Sequence, residues 1–196
     1  MSAAQKSEAG SVPHAGPAED ALHAGDAHVL RLIEQLRDRD GMVREGARRE
    51  LVELGEPALL ELTKLLESNV KRTRWEAAQA LAAIGDSRSI HTLLRLLSDD
   101  ESDIRWIAAL GLIKVGPLSL QGLIEELLDK PDSKRVRRGV HHVLSELGYE
   151  NQVIMEIVAT LRQTLGEMAP TETIVSRAEN VLKEIAPLKF SPREKW

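Results

Sequence analysis

Four times along the chain an arginine stands eleven residues before a glycine: Arg44 and Gly55, Arg74 and Gly85, Arg105 and Gly116, Arg137 and Gly148. Successive glycines lie 30, 31 and 32 residues apart. A period of this size marks a stacked array of small units, none able to bury its own apolar face without a neighbour. The clearest copy is Thr73–Gly85, which reads TRWEAAQALAAIG, and Ile104–Gly116 repeats it as IRWIAALGLIKVG. Degraded copies run from Val43 to Gly55 and from Val136 to Gly148.

The block has helical periodicity. With the arginine as position zero, position −1 holds Val43, Thr73, Ile104 and Val136, and position +3 holds Ala47, Ala77, Ala108 and Val140. Position +7 is leucine in all four copies, and +10 holds Leu54, Ile84, Val115 and Leu147. At 100° per residue these form one apolar stripe, closed by a glycine suited to a left-handed helix end. An apolar helix precedes each block: Val29, Leu32, Ile33 and Leu36; Leu59, Leu62, Leu65 and Leu66; Ile90, Leu93, Leu94 and Leu97; Leu120, Leu123, Ile124, Leu127 and Leu128. Polar, turn-prone residues separate the members of each pair, with Asp and Ser placed to cap the second helix. A fifth pair lies in 150–186, where Ile174, Ala178, Leu182 and Ile185 reproduce the stripe while Val175 and Ala186 replace the arginine and glycine.

These patterns predict an all-α chain, a right-handed α-solenoid of about five helix pairs over 27–56, 57–86, 87–117, 118–149 and 150–186. Aromatics are 3% of the residues, so the core must be built from Leu, Ile, Val and Ala. Residues 1–26, rich in Ala, Gly, Ser and Pro, are expected as a disordered tail. Pro187–Trp196 is a second tail, with Phe190 and Trp196 free to cap the last repeat or to bind another protein. The chain has no cysteine, hence no disulfide and no thiolate chemistry. With no signal-type apolar segment or membrane-spanning run apparent, a cytoplasmic protein is the expectation.

The block V/I-R-x-x-A-A-x-A-L-x-x-I/V-G after an L-x-x-L-L-x-D/E helix resembles a HEAT repeat, most of all the short form named for phycobilisome lyases. The resemblance covers roughly four-fifths of the chain. It implies an armadillo-type solenoid whose second helices line the concave side, and repeats of this class serve scaffolds, adaptors and a few enzymes.

Facing away from the apolar stripe, the second helices present positions +1, +5 and +8. Trp75 and Trp106 share +1 in adjacent repeats, with Arg138 in the fourth. Gln79, Leu110 and His142 stand at +5 and Ile113 at +8. Tryptophan dominates many interface hot spots, so these seven residues are the candidate groove for another protein or peptide, with the two rings as walls or edge to face. The four arginines fit a structural ladder, with Asp38, Asp40, Asp100, Asp103 and Asp132 near enough in sequence to compensate them. Basic turns at Lys71–Arg74 and Lys134–Arg138 offer a nucleic-acid edge, but intervening acids break it, and the net charge is −5. No catalytic, cofactor or metal motif is present: His141 and His142 are adjacent on a helix and diverge. The reading is a non-enzymatic adaptor. The alternatives are a ligand-handling subunit like the phycobilin lyases, or a nucleic-acid-binding module.

Overall fold

The computed structural model describes residues 17–147 and 152–188, with side chains from residue 25 onward. Ten α-helices fall in five pairs: α1 (Pro17–Gln35) with α2 (Gly41–Leu54), α3 (Leu59–Leu65) with α4 (Lys71–Ile84), α5 (Ile90–Leu96) with α6 (Ser102–Val115), α7 (Leu120–Asp129) with α8 (Lys134–Glu146), and α9 (Gln152–Gly166) with α10 (Thr171–Ile185). Short 3-10 turns open α3, α5 and α7. The described residues contain no strand, and the molecule is a helical repeat solenoid. Phe190, Trp196 and Gly148 lie outside the described residues.

The N-terminal helix begins at Pro17, upstream of the tail boundary expected near residue 27. Proline suits the first helical position because it lacks the N–H that would go unpaired there. Ala18, Ala21, Ala24 and Ala27 favour helix without needing burial. Backbone propensity thus carries the helix beyond its apolar stripe, whose Val29, Leu32, Ile33 and Leu36 are buried.

In the second helices the expected stripe forms the core. Every residue at +3 and +7 in the four arginine-bearing copies is buried, whereas +10 loosens toward the N-terminus, where Leu54 is exposed. Two further positions explain the stacking. Those at +2 and +6 face the preceding repeat, and those at +4 and +8 face the next. A Cβ on Gly111 (+6) would come within 3.0 Å of the Ala82 Cα (+8 of the preceding copy) and of Leu93 Cδ1. Ala78, Ala80 and Ala109 are also buried along these seams. Small residues let the helices approach closely, the condition for ridges to enter grooves. The first copy has Glu50 at +6, exposed, with no preceding pair among the described residues.

The arginines staple the turns. Arg44, Arg74, Arg105 and Arg137 each donate to the carbonyl six residues earlier, on Asp38 (3.0 Å), Ser68 (3.1 Å), Asp99 (2.6 Å) and Pro131. Those carbonyls lie just past the C-terminus of the first helix, so the cation meets the negative end of one dipole while standing near the positive end of another. In three copies the same turn residue also accepts from the backbone N–H two residues on: Asp38 from Asp40, Ser68 from Val70, Asp99 from Glu101. In the fourth, Pro131 has no such acceptor, and Ser133 caps Val136 instead. The first three blocks end as expected on a glycine of positive φ: Gly55 at 67°, Gly85 at 67° and Gly116 at 82°. Only Gly85 lies in the left-handed helical region; the other two have extended ψ of −118° and −151°.

The fifth pair departs from the array. The sequence pattern makes α10 the fifth second helix, destined for α8. Instead α9 packs on α8, while α10 packs chiefly on α9 and α7. Ile174, Ala178 and Ile185 are buried as expected, but so is Val181, and Leu182 is only half-buried. The pair lacks the staple, since Val175 has no donor to reach back to the preceding turn. It also ends at Ala186 in ordinary helical conformation. The most apolar stretch, Ser102–Asp129, has the composition of a membrane span. It is divided at Gly116–Ser119 into α6 and α7, and 61% of its most apolar window is buried inside the solenoid.

Candidate partner-binding groove

The outward register of the second helices is open, but it is not uniform. Trp106 on α6 is 55% exposed and Leu110, one turn on, is 45% exposed. Trp75 is half-buried and packs against the core. Gln79 on α4 is half-buried, Ile113 packs against the core, and Arg138 on α8 is exposed. Ile113 and Ala82 at +8 are shared between the open face and the seam to the next repeat, so +8 is a weaker lining position than the helical angle predicts.

Among the described residues, the two tryptophans make no ring contact with each other. Each instead pairs with a nitrogen-bearing side chain from another repeat. Trp106 stacks on His142 of α8, with ring centroids 4.4 Å apart and planes at 20°. Trp75 lies under the Arg48 guanidinium, whose central carbon is 5.6 Å from the ring centroid, a cation–π contact. Arg48 is in turn held by Glu76, which also accepts from Arg44 Nε at 2.8 Å. Glu76 is 3% exposed, at position +2, where the next copy has the buried Ile107. A buried carboxylate between two arginines thus fixes the cation that covers Trp75. The sequence contained the signal, two arginines four apart in one copy and an acid at an inward position of the next, but the outward register alone did not select it.

His141 and His142 diverge as expected. His142 lies on Trp106, its Nε2 buried and without a hydrogen-bond partner among the described residues. His141 faces α9, where a Cβ on Gly166 would stand 3.1 Å from its Nε2. Among the described residues, no group of three or more His, Asp or Glu side chains is placed to hold a metal ion.

The arginine ladder is structural, with partners other than most of those expected. Arg74 pairs with Asp99 at 3.2 Å, and Arg137 donates to Thr171 Oγ1 at 2.6 Å with Asp132 at 3.6 Å. Asp38 and Asp100 serve the ladder through their carbonyls, and Asp103 pairs with Lys71 at 3.3 Å. Asp40 caps α2 by accepting from Met42 N. Much of the basic edge is therefore neutralised. Lys71 also pairs with Glu101 at 2.8 Å, and its hydrogen bonds to these two carboxylates, Glu101 first, push the ammonium above its ordinary range. Arg135 hydrogen-bonds Asp100 at 2.8 Å and holds that carboxyl below its ordinary range. Arg72, Lys134 and Arg138 form no ion pair among the described residues.

The family model described as HEAT repeats matches residues 29–113. No curated protein matches the chain. Among solved structures, a chain from the complex of CpcE and CpcF of phycocyanin lyase from Nostoc sp. PCC7120 is similar at 23% identity and a TM-score of 0.56, over 79% of this chain and 98% of that one. A designed armadillo repeat protein aligns at 18% identity and a TM-score of 0.39, over 78% and 98%. The family match spans the first two copies of the arginine block and most of the third, and the same helix pair recurs beyond it. Residues 29–113 are thus identified as HEAT repeats, within a solenoid whose fold is similar to those of known helical repeat proteins.

Proposed function

We propose that this chain is a non-enzymatic adaptor that holds a segment of another protein along the open face of α4, α6 and α8. The single observation that carries the reading is Trp106. A large aromatic side chain more than half exposed, braced flat by His142 and flanked by exposed Leu110, leaves apolar surface in water that a partner would bury. Buried against a partner, a rigid ring of this kind is a strong anchor because little side-chain entropy is lost. Trp75, already half-covered by Arg48, is a secondary contact at the N-terminal end of the same face. The fold similarity to a chain solved in a two-protein complex supports a protein partner. A nucleic-acid role is disfavoured by the pairing of Lys71, Arg74, Arg135 and Arg137 with acids or hydroxyls of neighbouring turns.

The test is affinity for a partner identified by copurification, measured with wild type, Trp75→Ala and Trp106→Ala after circular dichroism has shown each to be folded. Trp106→Ala is expected to weaken binding by about thirtyfold, the scale of a hot-spot residue, and Trp75→Ala by less. Unchanged affinity in both folded variants refutes the adaptor groove.

A further inference from the structure

Where α9 lies against α8, a cleft of about 270 Å³ opens, lined by Lys134, Arg137, Arg138 and His141 on one side and Leu165, Gly166 and Met168 on the other. We propose that this cleft receives carboxylate side chains of the partner segment, so that the groove selects an acidic peptide carrying an apolar anchor. The inference rests on the adaptor reading and names the chemistry of its partner.

Two of the three lysine and arginine side chains lining the cleft have no ion pair among the described residues. Arg135 and Arg137, on the same turn, have found Asp100, Asp132 and Thr171. Lys134, Arg138 and His141 have no ion pair among the described residues, although the chain as a whole carries a net charge of −5. Lys134 and Arg138 are four apart, a spacing at which like charges repel on a helix surface. Both lie in the first turns of α8, where the dipole also disfavours cations. An external anion relieves both penalties.

The opposite wall is apolar and unusually built. Leu165 is buried, while Met168 is 71% exposed and adopts φ of 53° just after α9. A side chain at positive φ is strained by roughly 1 kcal/mol or more. Here that conformation leaves the thioether exposed at the rim, where a methylene stem could pack. The volume suits one or two side chains and is too small to follow a run of phosphates.

The cleft lies one helix beyond the tryptophan: Arg138 lines it and holds on α8 the register position that Trp106 holds on α6. Packed helices are separated by about 8–10 Å, and an extended peptide rises about 3.3 Å per residue. An apolar side chain on Trp106 and Leu110 therefore places an acid about three residues away over Arg138.

The experiment uses fluorescence anisotropy at low salt with the full chain and a short labelled peptide in which leucines are followed by glutamates. Its glutamine counterpart and a labelled oligothymidylate serve as the other probes. Binding of the glutamate peptide is expected, with about tenfold weaker binding in Lys134→Ala/Arg138→Ala and for the glutamine peptide. No binding of the glutamate peptide to the wild type, equal affinity for the two peptides, or an unaffected double variant overturns the proposal. Tighter binding of the oligothymidylate, lost in the double variant, also overturns it and assigns the cleft to nucleic acid. Trp106→Ala separates the two readings: loss there without loss in the double variant keeps the groove and removes the charge selectivity. Loss only in the double variant keeps the cleft and removes Trp106 as the anchor.

Discussion

Glu76→Gln is the most informative single change to the frame of this groove. The Glu76 side chain is 4% exposed and accepts from both Arg44 and Arg48. Hydrogen bonds to charged groups contribute about 1.5–3 kcal/mol each, and removing one partner of a fully buried pair costs about 3–5 kcal/mol. The arginines are not fully buried, however, with side chains 17% and 25% exposed. Arg44 also keeps its bonds to the Asp38 and Arg39 carbonyls. Glutamine preserves the shape and one acceptor oxygen. The net loss should therefore be about 2 kcal/mol, which in a domain of this size lowers Tm by about 4–8 °C. Urea unfolding followed by circular dichroism at 222 nm measures it. A double-mutant cycle with Arg48→Met isolates the Arg48 share, expected near 1 kcal/mol. A loss below about 0.5 kcal/mol in Glu76→Gln, or additive effects in the cycle, would show that the triad behaves as an exposed surface pair, and the account of how Arg48 is held over Trp75 would fail.

Gly111→Ala should destabilise by about 1–2 kcal/mol in thermal unfolding, because overpacking against the α4 backbone outweighs the roughly 1 kcal/mol that alanine gains in helix propensity; a stabilised variant refutes the close approach of α4 and α6. The Asp100 carboxyl, held low by Arg135, favours the folded state above its unfolded pKa, and that contribution is lost as pH falls through the depressed folded value. Arg135→Ala should move the NMR-detected titration of Asp100 upward, and an unmoved titration refutes the pairing.

The repeat, the helix pairing and the core stripe were legible because they depend on periodicity, and stacking multiplies one local rule along the chain. Ala77, Leu81 and Ile84 needed no information beyond their spacing. The outward positions of Trp106, Leu110 and Arg138 followed from the same geometry. What lay beyond it depends on pairs from different repeats. Stacking of Trp106 on His142 joins residues 36 apart, and Glu76 meets arginines 28 and 32 residues earlier. A helical angle shows which way a side chain points but not which side chain of the next helix is there to receive it. The same limit explains why Asp99, not Asp100, took the Arg74 guanidinium: adjacent acids on a turn face different sides, and only the fold selects between them.

The inverted fifth pair shows how a break in a repeat opens a cleft. Had α10 followed α8 as the pattern implied, a continuous second-helix face would have run past Arg138 with no wall to stop it. Because α9 occupies that place, its C-terminal turn stands against the first turns of α8, where the cations of the array are concentrated. A wall built from a first helix carries that helix's apolar residues, here Leu165, beside the basic residues of the second-helix layer. The cleft is therefore a product of the inversion and not of the repeat, which is why no periodic reading could have located it. Its presence limits the proposed groove to α4, α6 and α8 and places the most exposed ring, Trp106, one helix from that limit. A partner segment entering from the N-terminal side would meet Trp75, then Trp106, then the cationic stop, an order that gives the groove a direction.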